Sequence, residues 1–457
     1  MRARSRPSRA SSVYAMSDLV ARVRDVLPSV RADLEALVRI ESVWADPARR
    51  PEVQRSAEAV SKLLSQAGFD DVRIVAEGGA PAVIARHPAP PGAPTVLLYA
   101  HHDVQPEGDP SQWVSPPFEP TERDGRLYGR GTADDKAGIA THLAAFRAHG
   151  GAPPVGVTVF VEGEEESGSP SLSRLLSAHR DLLAADVIVI ADSDNWSTDV
   201  PSLTVSLRGL ADCVVEVATL DHGLHSGMWG GVVPDALTVL VRLLASLHNN
   251  DGTVAVAGLH EATASDVDYT PERVRPDTGL LDGVSEIGSG SVAQRLWAKP
   301  AITVIGIDAT PIAQSSNTLI PKARAKVSMR VAPGGDAAEH LAALTRHLER
   351  HAPWGARVTV TPGDVGQPYA IDATGPVYDA ARQAFAEAWG HAAVDTGVGG
   401  SIPFIAEFAA AFPEAKILVT GVEDPDTQAH SVNESLHLGV LERAATAEAL
   451  LLRSLGG

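Results

Sequence analysis

Thr95-Val-Leu-Leu-Tyr-Ala-His-His-Asp-Val-Gln-Pro106 reads as a buried strand that ends abruptly in imidazoles and a carboxylate. Val96 to Ala100 form an unbroken apolar run, as expected of an interior strand covered on both faces. Working outward, Val155–Val161 and Val187–Ile190 are of the same type, and acids follow each of them: Glu164, Glu165 and Glu166 after the first, Asp192 and Asp194 after the second. Lys416–Thr420 repeats the pattern near the far end, with His430 in the loop beyond it. Helical periodicity alternates with these runs, so the chain is expected to fold as an α/β domain with a largely parallel mixed sheet flanked by helices. Ligands bind outside the carboxyl ends of such strands, where these polar segments lie.

The helical patterns run from Ser17, with a break expected at Pro28, and from Glu52 to a stop at Gly68. Val377–Trp389 and Leu438–Leu455 carry the same signal near the C-terminus. Between Gly209 and about Tyr369 the order becomes strand, helix, strand, strand, helix, strand, which predicts an inserted α+β ferredoxin-like domain. The expected division is therefore 1–15 as a disordered extension, 16–208 and 369–457 as two parts of one domain, and 209–368 as the insert. The connection Asn250–Lys299 is too long for an ordinary loop and is expected to hold short helices or a functional excursion.

Composition narrows the function classes. A chain of 457 residues exceeds what one compact core holds, so two domains are expected. A formal net charge of −19 with no basic stripe argues against nucleic acid and anionic membranes as partners. The single cysteine, Cys213, excludes an internal disulfide and a thiolate-built zinc site, and within its strand pattern it reads as a buried structural thiol. A reducing compartment fits, and a cytoplasmic location is expected. The basic stretch from Met1 to Arg9 lacks an apolar signal core, and no run is long and apolar enough to span a bilayer.

His101 and Asp103 lie two apart in an extended segment and share a side, with His102 facing away. His101 is the better metal ligand, and Asp103 the better group to hold its ring. Asp134 and Asp135, in Tyr128-Gly-Arg-Gly-Thr-Ala-Asp-Asp-Lys136, precede a helix. Capping accounts for one of the pair, and the other is a candidate to bridge two cations. Glu164 to Glu166 crowd like charges that raise one another's pKa unless cations neutralise them, which suits a metal site and a proton shuttle. Oxygen and imidazole donors without thiolate suit a hydrolytic zinc or manganese centre.

Together with Val189-Ile-Ala-Asp-Ser-Asp194 and Ala429-His-Ser-Val-Asn-Glu434, these segments resemble those of the dinuclear metallopeptidases that include carnosinase, cytosolic nonspecific dipeptidase, carboxypeptidase G and the aminoacylases. The resemblance runs from about Met16 to the C-terminus and is closest to the dipeptidase branch. It implies a catalytic domain, an inserted lid that dimerises, and two divalent ions, zinc first and manganese or cobalt as alternatives. It implies His101, Asp134, Glu166, Asp192 and His430 as metal ligands, with Asp134 bridging and its peptide to Asp135 cis. Asp194 competes with Asp192, which follows the apolar run directly and keeps the family's spacing to Pro201 and Leu207-Arg-Gly. Glu165 resembles the general base, and Asp103 the acid supporting its neighbour His101. His225, in Leu224-His-Ser-Gly227, resembles an oxyanion donor supplied across a dimer, and Asn317, Arg330, Gly399, Gly400 and Ser401 resemble the groups that hold a substrate carboxylate. Two positions depart from the family's pattern: His102, which adds an imidazole at the rim, and Ala137, where glycine is usual.

The implied activity is hydrolysis of dipeptides or small peptides. An N-acyl or N-carbamoyl amino acid amidohydrolase or a carboxypeptidase is the alternative within the family, and a non-catalytic peptide-binding dimer the alternative outside it.

Overall fold

The computed structural model of the protein describes residues 9–263, 266–400 and 403–457. Two compact units emerge: unit 1, Met1–Thr204 with Asp372–Asp395 and Glu407–Gly457, and unit 2, Val205–Ile371 with Thr396–Ala406. The boundaries expected at 208/209 and 368/369 lie close by, but Thr396–Ala406 groups with unit 2, not with the C-terminal part of unit 1.

The main sheet of unit 1 has the strand order Asp71–Val75, Ala82–His87, Gly156–Glu162, Thr95–His101, Val187–Ile190, Lys416–Val419. The first two pairings are antiparallel and the last four strands run parallel. From Thr95–His101 the chain adds a strand on one side and then crosses to add the next on the other. That reversal opens a crevice at the carboxyl end of Thr95–His101. The interior strands are buried almost throughout, as their unbroken apolar runs require.

Helix Lys136–Ala148 packs on Thr95–His101 and against helices Arg9–Val38 and Leu438–Leu455. His142 joins two of these layers: its Nε2 lies 3.0 Å from the Tyr99 carbonyl and its Nδ1 2.8 Å from a Glu448 carboxylate oxygen. The break expected at Pro28 is absent, because the helix continues through it from Arg9 to Val38. Proline removes one helical hydrogen bond. Here Leu19, Val23, Val30, Leu34 and Leu37 stay buried on both sides of it, and that packing carries the helix past the gap. The same helix takes in residues 9–15 of the expected disordered extension, while 1–8 lie outside the described residues.

Unit 2 contains a four-stranded antiparallel sheet in the order Ala301–Asp308, Lys322–Val331, Gly209–Ala218, Arg357–Gly366. With helices Ala236–Ala245 and Ala337–Arg350 this is the ferredoxin-like order read from the sequence. Alternate residues Ala211, Cys213, Val215 and Val217 enter a core with Val239, Leu240, Leu344 and Leu348. Cys213 is thus a packed thiol, and burial raises its pKa to about 11. The Asn250–Lys299 connection holds a short helix, Pro271–Thr278, and a turn of π-helix, Gln294–Ala298. Among the described residues no helix is long and apolar enough to cross a membrane.

Candidate metal centre

Four donor-bearing segments leave the carboxyl ends of the four parallel strands, and a fifth starts a helix beside them. His101 closes its strand opposite Glu162. Glu165 and Glu166 form a helical turn just after Gly156–Glu162, Asp192 follows Val187–Ile190, and His430 lies beyond Lys416–Val419. Asp134 and Asp135 precede helix Lys136–Ala148, and the peptide between them is cis. All of these belong to unit 1.

The donors gather in two groups that share Asp134: His101, Asp134 and Asp192, and Asp134, Glu166 and His430. Within each, the ligand atoms lie within 4.8 Å of one another. His101 Nε2 is 3.0 Å from Asp134 Oδ1 and 3.8 Å from Asp192 Oδ2, while His430 Nε2 is 2.9 Å from Asp134 Oδ2 and 3.1 Å from Glu166 Oε2. Ligand bonds of roughly 2.0–2.1 Å around a tetrahedral ion imply edges of about 3.3 Å, which these separations bracket. The donor chemistry fits as well: imidazole nitrogens and carboxylate oxygens, no thiolate, and one carboxylate with an oxygen for each group. Asp192 belongs to a group, whereas Asp194 belongs to neither and its backbone pairs with Glu423 instead.

The charges show what such a cluster demands. Burial first, and then the charge of Asp192, raises the Glu165 carboxyl well above the usual carboxylate range. Burial and the charge of Asp134 raise Glu166 to about 7, and burial raises Asp192 to about 6 against the favourable charge of His101. Asp134 stays low despite its burial, because both histidines hydrogen-bond to it. His430's own bonds to Asp134 and Glu166 lift it to about 11. Burial opposes the positive form of His101, yet Asp103 and Asp134 raise its pKa. Acids outnumber the two imidazoles, and divalent cations are the complement such a cluster lacks.

The supporting residues refine the sequence reading. Asp103 faces the His101 ring twice: its backbone carbonyl lies 3.0 Å from Nδ1 and its carboxylate Oδ1 3.5 Å from it. The carboxylate also accepts the backbone N–H groups of Glu165 and Glu166, at 3.2 Å each, and so sets the turn that presents both glutamates. Glu165 Oε2 reaches to 3.9 Å from His101 Nε2. Asp135 caps the following helix at Gly138 and accepts the His101 amide, and a Cβ at Gly138 would lie 2.4 Å from its Oδ1. His102 is not at the rim: it is buried, turned to the Pro81 carbonyl at 2.8 Å, and burial lowers its pKa to about 4. Ala137 is buried in the helix and leaves the donors in place.

Sequence reading missed Glu434 and Arg130, which are buried behind the donors. It also missed Lys136, whose Nζ donates to the Leu37 and Ile40 carbonyls at the end of the first helix. The one available signal was position: Glu434 closes the His430 loop, and Arg130 and Lys136 flank the aspartate pair.

Unit 2 holds the other residues named from the sequence. It brings His225 and Asn317 together on a two-stranded ribbon, where Leu224 pairs with Leu319, His225 pairs with Thr318, and the Ser226 amide donates to the Asn317 carbonyl at 2.8 Å. His225 Nδ1 accepts the Gly227 amide, so its Nε2 is free of that contact. Arg330 sits near the end of Lys322–Val331, opposite Leu210. Arg208 Nε donates to the Gly399 carbonyl at 3.0 Å and so anchors the Gly399–Gly400 turn. Ser401 lies outside the described residues.

This arrangement has counterparts among known proteins. The chain is 36% identical over 432 residues to a cysteinylglycine-S-conjugate dipeptidase of Corynebacterium striatum, covering 93% of this chain and 95% of that protein. It is 28% identical over 462 residues to the Cys-Gly metallodipeptidase DUG1 of Saccharomyces cerevisiae, at 93% and 95% coverage. In fold it matches the solved structure of human carnosine dipeptidase 1 with a TM-score of 0.77 at 24% identity, covering 96% of this chain and 98% of that one. The profile of Peptidase family M20/M25/M40 spans residues 97–454, which takes in every donor of the two groups, and the chain belongs to that family.

Proposed function

We propose that this protein hydrolyses dipeptides, or other small peptides, at a centre of two divalent ions held by His101, Asp134, Glu166, Asp192 and His430, with Asp134 shared. Zinc is the first choice, with manganese or cobalt as alternatives that the same donors accept. The observation that carries the reading is the sharing of Asp134 between two donor groups, with Glu165 beside them at 3.9 Å from His101 Nε2. The dipeptidase names of the relatives support the substrate class.

When bound, such ions polarise the scissile carbonyl and acidify the attacking water. Glu165 takes the water's proton and returns it to the leaving amine, a role suited to a carboxyl that burial and Asp192 hold above its ordinary range. Asp103 fixes the turn that presents Glu165. His225, supplied from a second subunit through unit 2, donates to the developing oxyanion, a contact worth ~3 kcal/mol in the transition state. Arg330 and Asn317, with Gly399, Gly400 and Ser401, hold the substrate's free carboxylate. The protein acts in the cytoplasm as a homodimer.

Glu165→Ala tests the assignment: turnover of a dipeptide panel falls by about 10²–10⁴-fold while bound metal, measured by elemental analysis, stays at the wild-type level. A fully active variant refutes the role of Glu165. Wild-type protein that cleaves N-acyl or N-carbamoyl amino acids and ignores dipeptides replaces the substrate class.

A further inference from the structure

We propose that the buried Arg130–Glu434 ion pair is a positioning device that sets the loop carrying Asp134 against the loop carrying His430, and thereby the spacing of the two donor groups that share Asp134. The inference rests on the metal-centre reading above.

Each loop has little internal support: the first is tied by Thr132 to the Gly129 carbonyl, the second by the Ser431 amide to the Gln428 carbonyl. In the first, Gly129 and Gly131 take positive φ, and a Cβ at Gly131 would lie 2.5 Å from Val104 Cγ1. In the second, Gln428, His430 and Asn433 all adopt left-handed backbone, which is costly for residues other than glycine. The backbone N–H groups of the first loop fall outside helix and sheet, and buried amides need acceptors.

Pro117 and Gly129 take the Arg130 and Thr132 amides, and Glu434 supplies acceptors for four others. Its Oε2 accepts Arg130 Nη1 at 2.8 Å and the Gly131 amide at 3.0 Å, and its Oε1 accepts the Ala133 and Asp134 amides at 3.0 and 3.2 Å. Its carbonyl takes the Gly129 amide at 3.0 Å. Arg130 Nη2 then donates to the Ser431 carbonyl at 3.0 Å and the Pro106 carbonyl at 3.3 Å, and its guanidinium lies 5.5 Å from the Trp113 ring. One ion pair therefore bonds to three of the five donor segments: the stretch after His101, the approach to Asp134, and the turn around His430. Glu434 itself belongs to neither donor group.

A buried ion pair is a poor means of stabilising a fold, because desolvation offsets most of the attraction. This one spends the remaining capacity of its carboxylate on the peptide groups that aim Asp134. Replacing such a supporting partner weakens metal binding about 10–100-fold.

The test titrates Zn2+ into metal-stripped wild type, Glu434→Gln and Arg130→Lys by calorimetry. Alongside, it records thermal unfolding of the stripped proteins and visible spectra of the Co2+ forms. Glu434→Gln keeps the shape and one acceptor oxygen, and Arg130→Lys keeps the charge but not the fork that reaches both loops. The expected result is a loss of zinc affinity of about 10–100-fold in at least one variant that still unfolds cooperatively, with an altered cobalt spectrum. Zinc affinity within about two-fold of wild type in the folded variants, whatever their loss of thermal stability, overturns the positioning role and leaves the metal centre standing. A wild type that takes up no divalent ion overturns both.

Discussion

In unit 1, four parallel strands point their carboxyl ends the same way, so donors from His101 to His430 are delivered to one crevice, with His101 and Asp134 buried at its base and His430 exposed at its edge. In unit 2, antiparallel neighbours send their ends to opposite edges, and the polar residues of interest sit on a ribbon, a strand end and a turn. The consequence is visible in their partners. Asp103, Asp134, Asp135 and Glu166 each engage several groups of unit 1, whereas among the described residues Arg330 forms no ion pair, and Asn317 and His225 are exposed. Convergence concentrates charge, which shifts pKa values and calls for cations. An open antiparallel sheet leaves its side chains available to a ligand from outside.

The contrast breaks most sharply at Asp134. Asp134→Ala removes the oxygen common to both groups, so it abolishes peptidase activity and lowers zinc binding at both positions, while Arg330→Ala in unit 2 leaves zinc binding unchanged. Calorimetric titration of the two variants checks this, and a variant lacking Asp134 that still binds two ions tightly ends the shared-carboxylate reading. A smaller effect is expected for Arg330→Ala on substrate. A charge-assisted hydrogen bond of about 1.5–3 kcal/mol corresponds to a rise in KM of roughly 10–150-fold for a dipeptide with a free carboxylate. The rise should be much smaller for the corresponding amide, and equal rises for both would detach Arg330 from the carboxylate.

The smallest effect concerns pH and lies below the sheet of unit 1. Burial acts to lower the His142 pKa, but the charge and hydrogen bond of Glu448 raise it above 6.5. The pair's stabilisation is therefore complete below pH 6.5 and is lost as the pH rises through the folded value. Thermal unfolding should show a gap between wild type and His142→Asn that is wider at pH 6 than at pH 9 by about 2–4 °C. A constant gap would mean that His142 acts through packing alone.

Much of this architecture could be read in advance. Strands such as Thr95–His101 and Val187–Ile190 announce themselves because burial on both faces demands unbroken apolar runs. The five residues of the two donor groups are ones that the family resemblance implied, where the segments alone left the acids of each cluster undistinguished. Other features resisted. Pro28 looks like a helix end locally, but the buried face on either side of it overrides the local signal. Thr396–Ala406 follows unit 1 in sequence yet packs with unit 2. Nothing in Ser-Val-Asn-Glu distinguishes an acid that faces an ion from one that gathers amides, so Glu434 passed unnoticed.

Composition, apolar periodicity and the polar residues at strand ends determined by themselves that this is an acidic α/β protein with an insert and a cluster of oxygen and nitrogen donors. Only the tertiary structure showed how the acids are partnered: Asp192 grouped with His101 and Asp134, Asp135 turned to the helix, and Asp103 collecting the amides of Glu165 and Glu166. The reason is physical. Apolar burial is written in the periodicity of neighbouring residues, whereas a carboxylate's task is set by whichever amide, imidazole or guanidinium a distant segment brings to it.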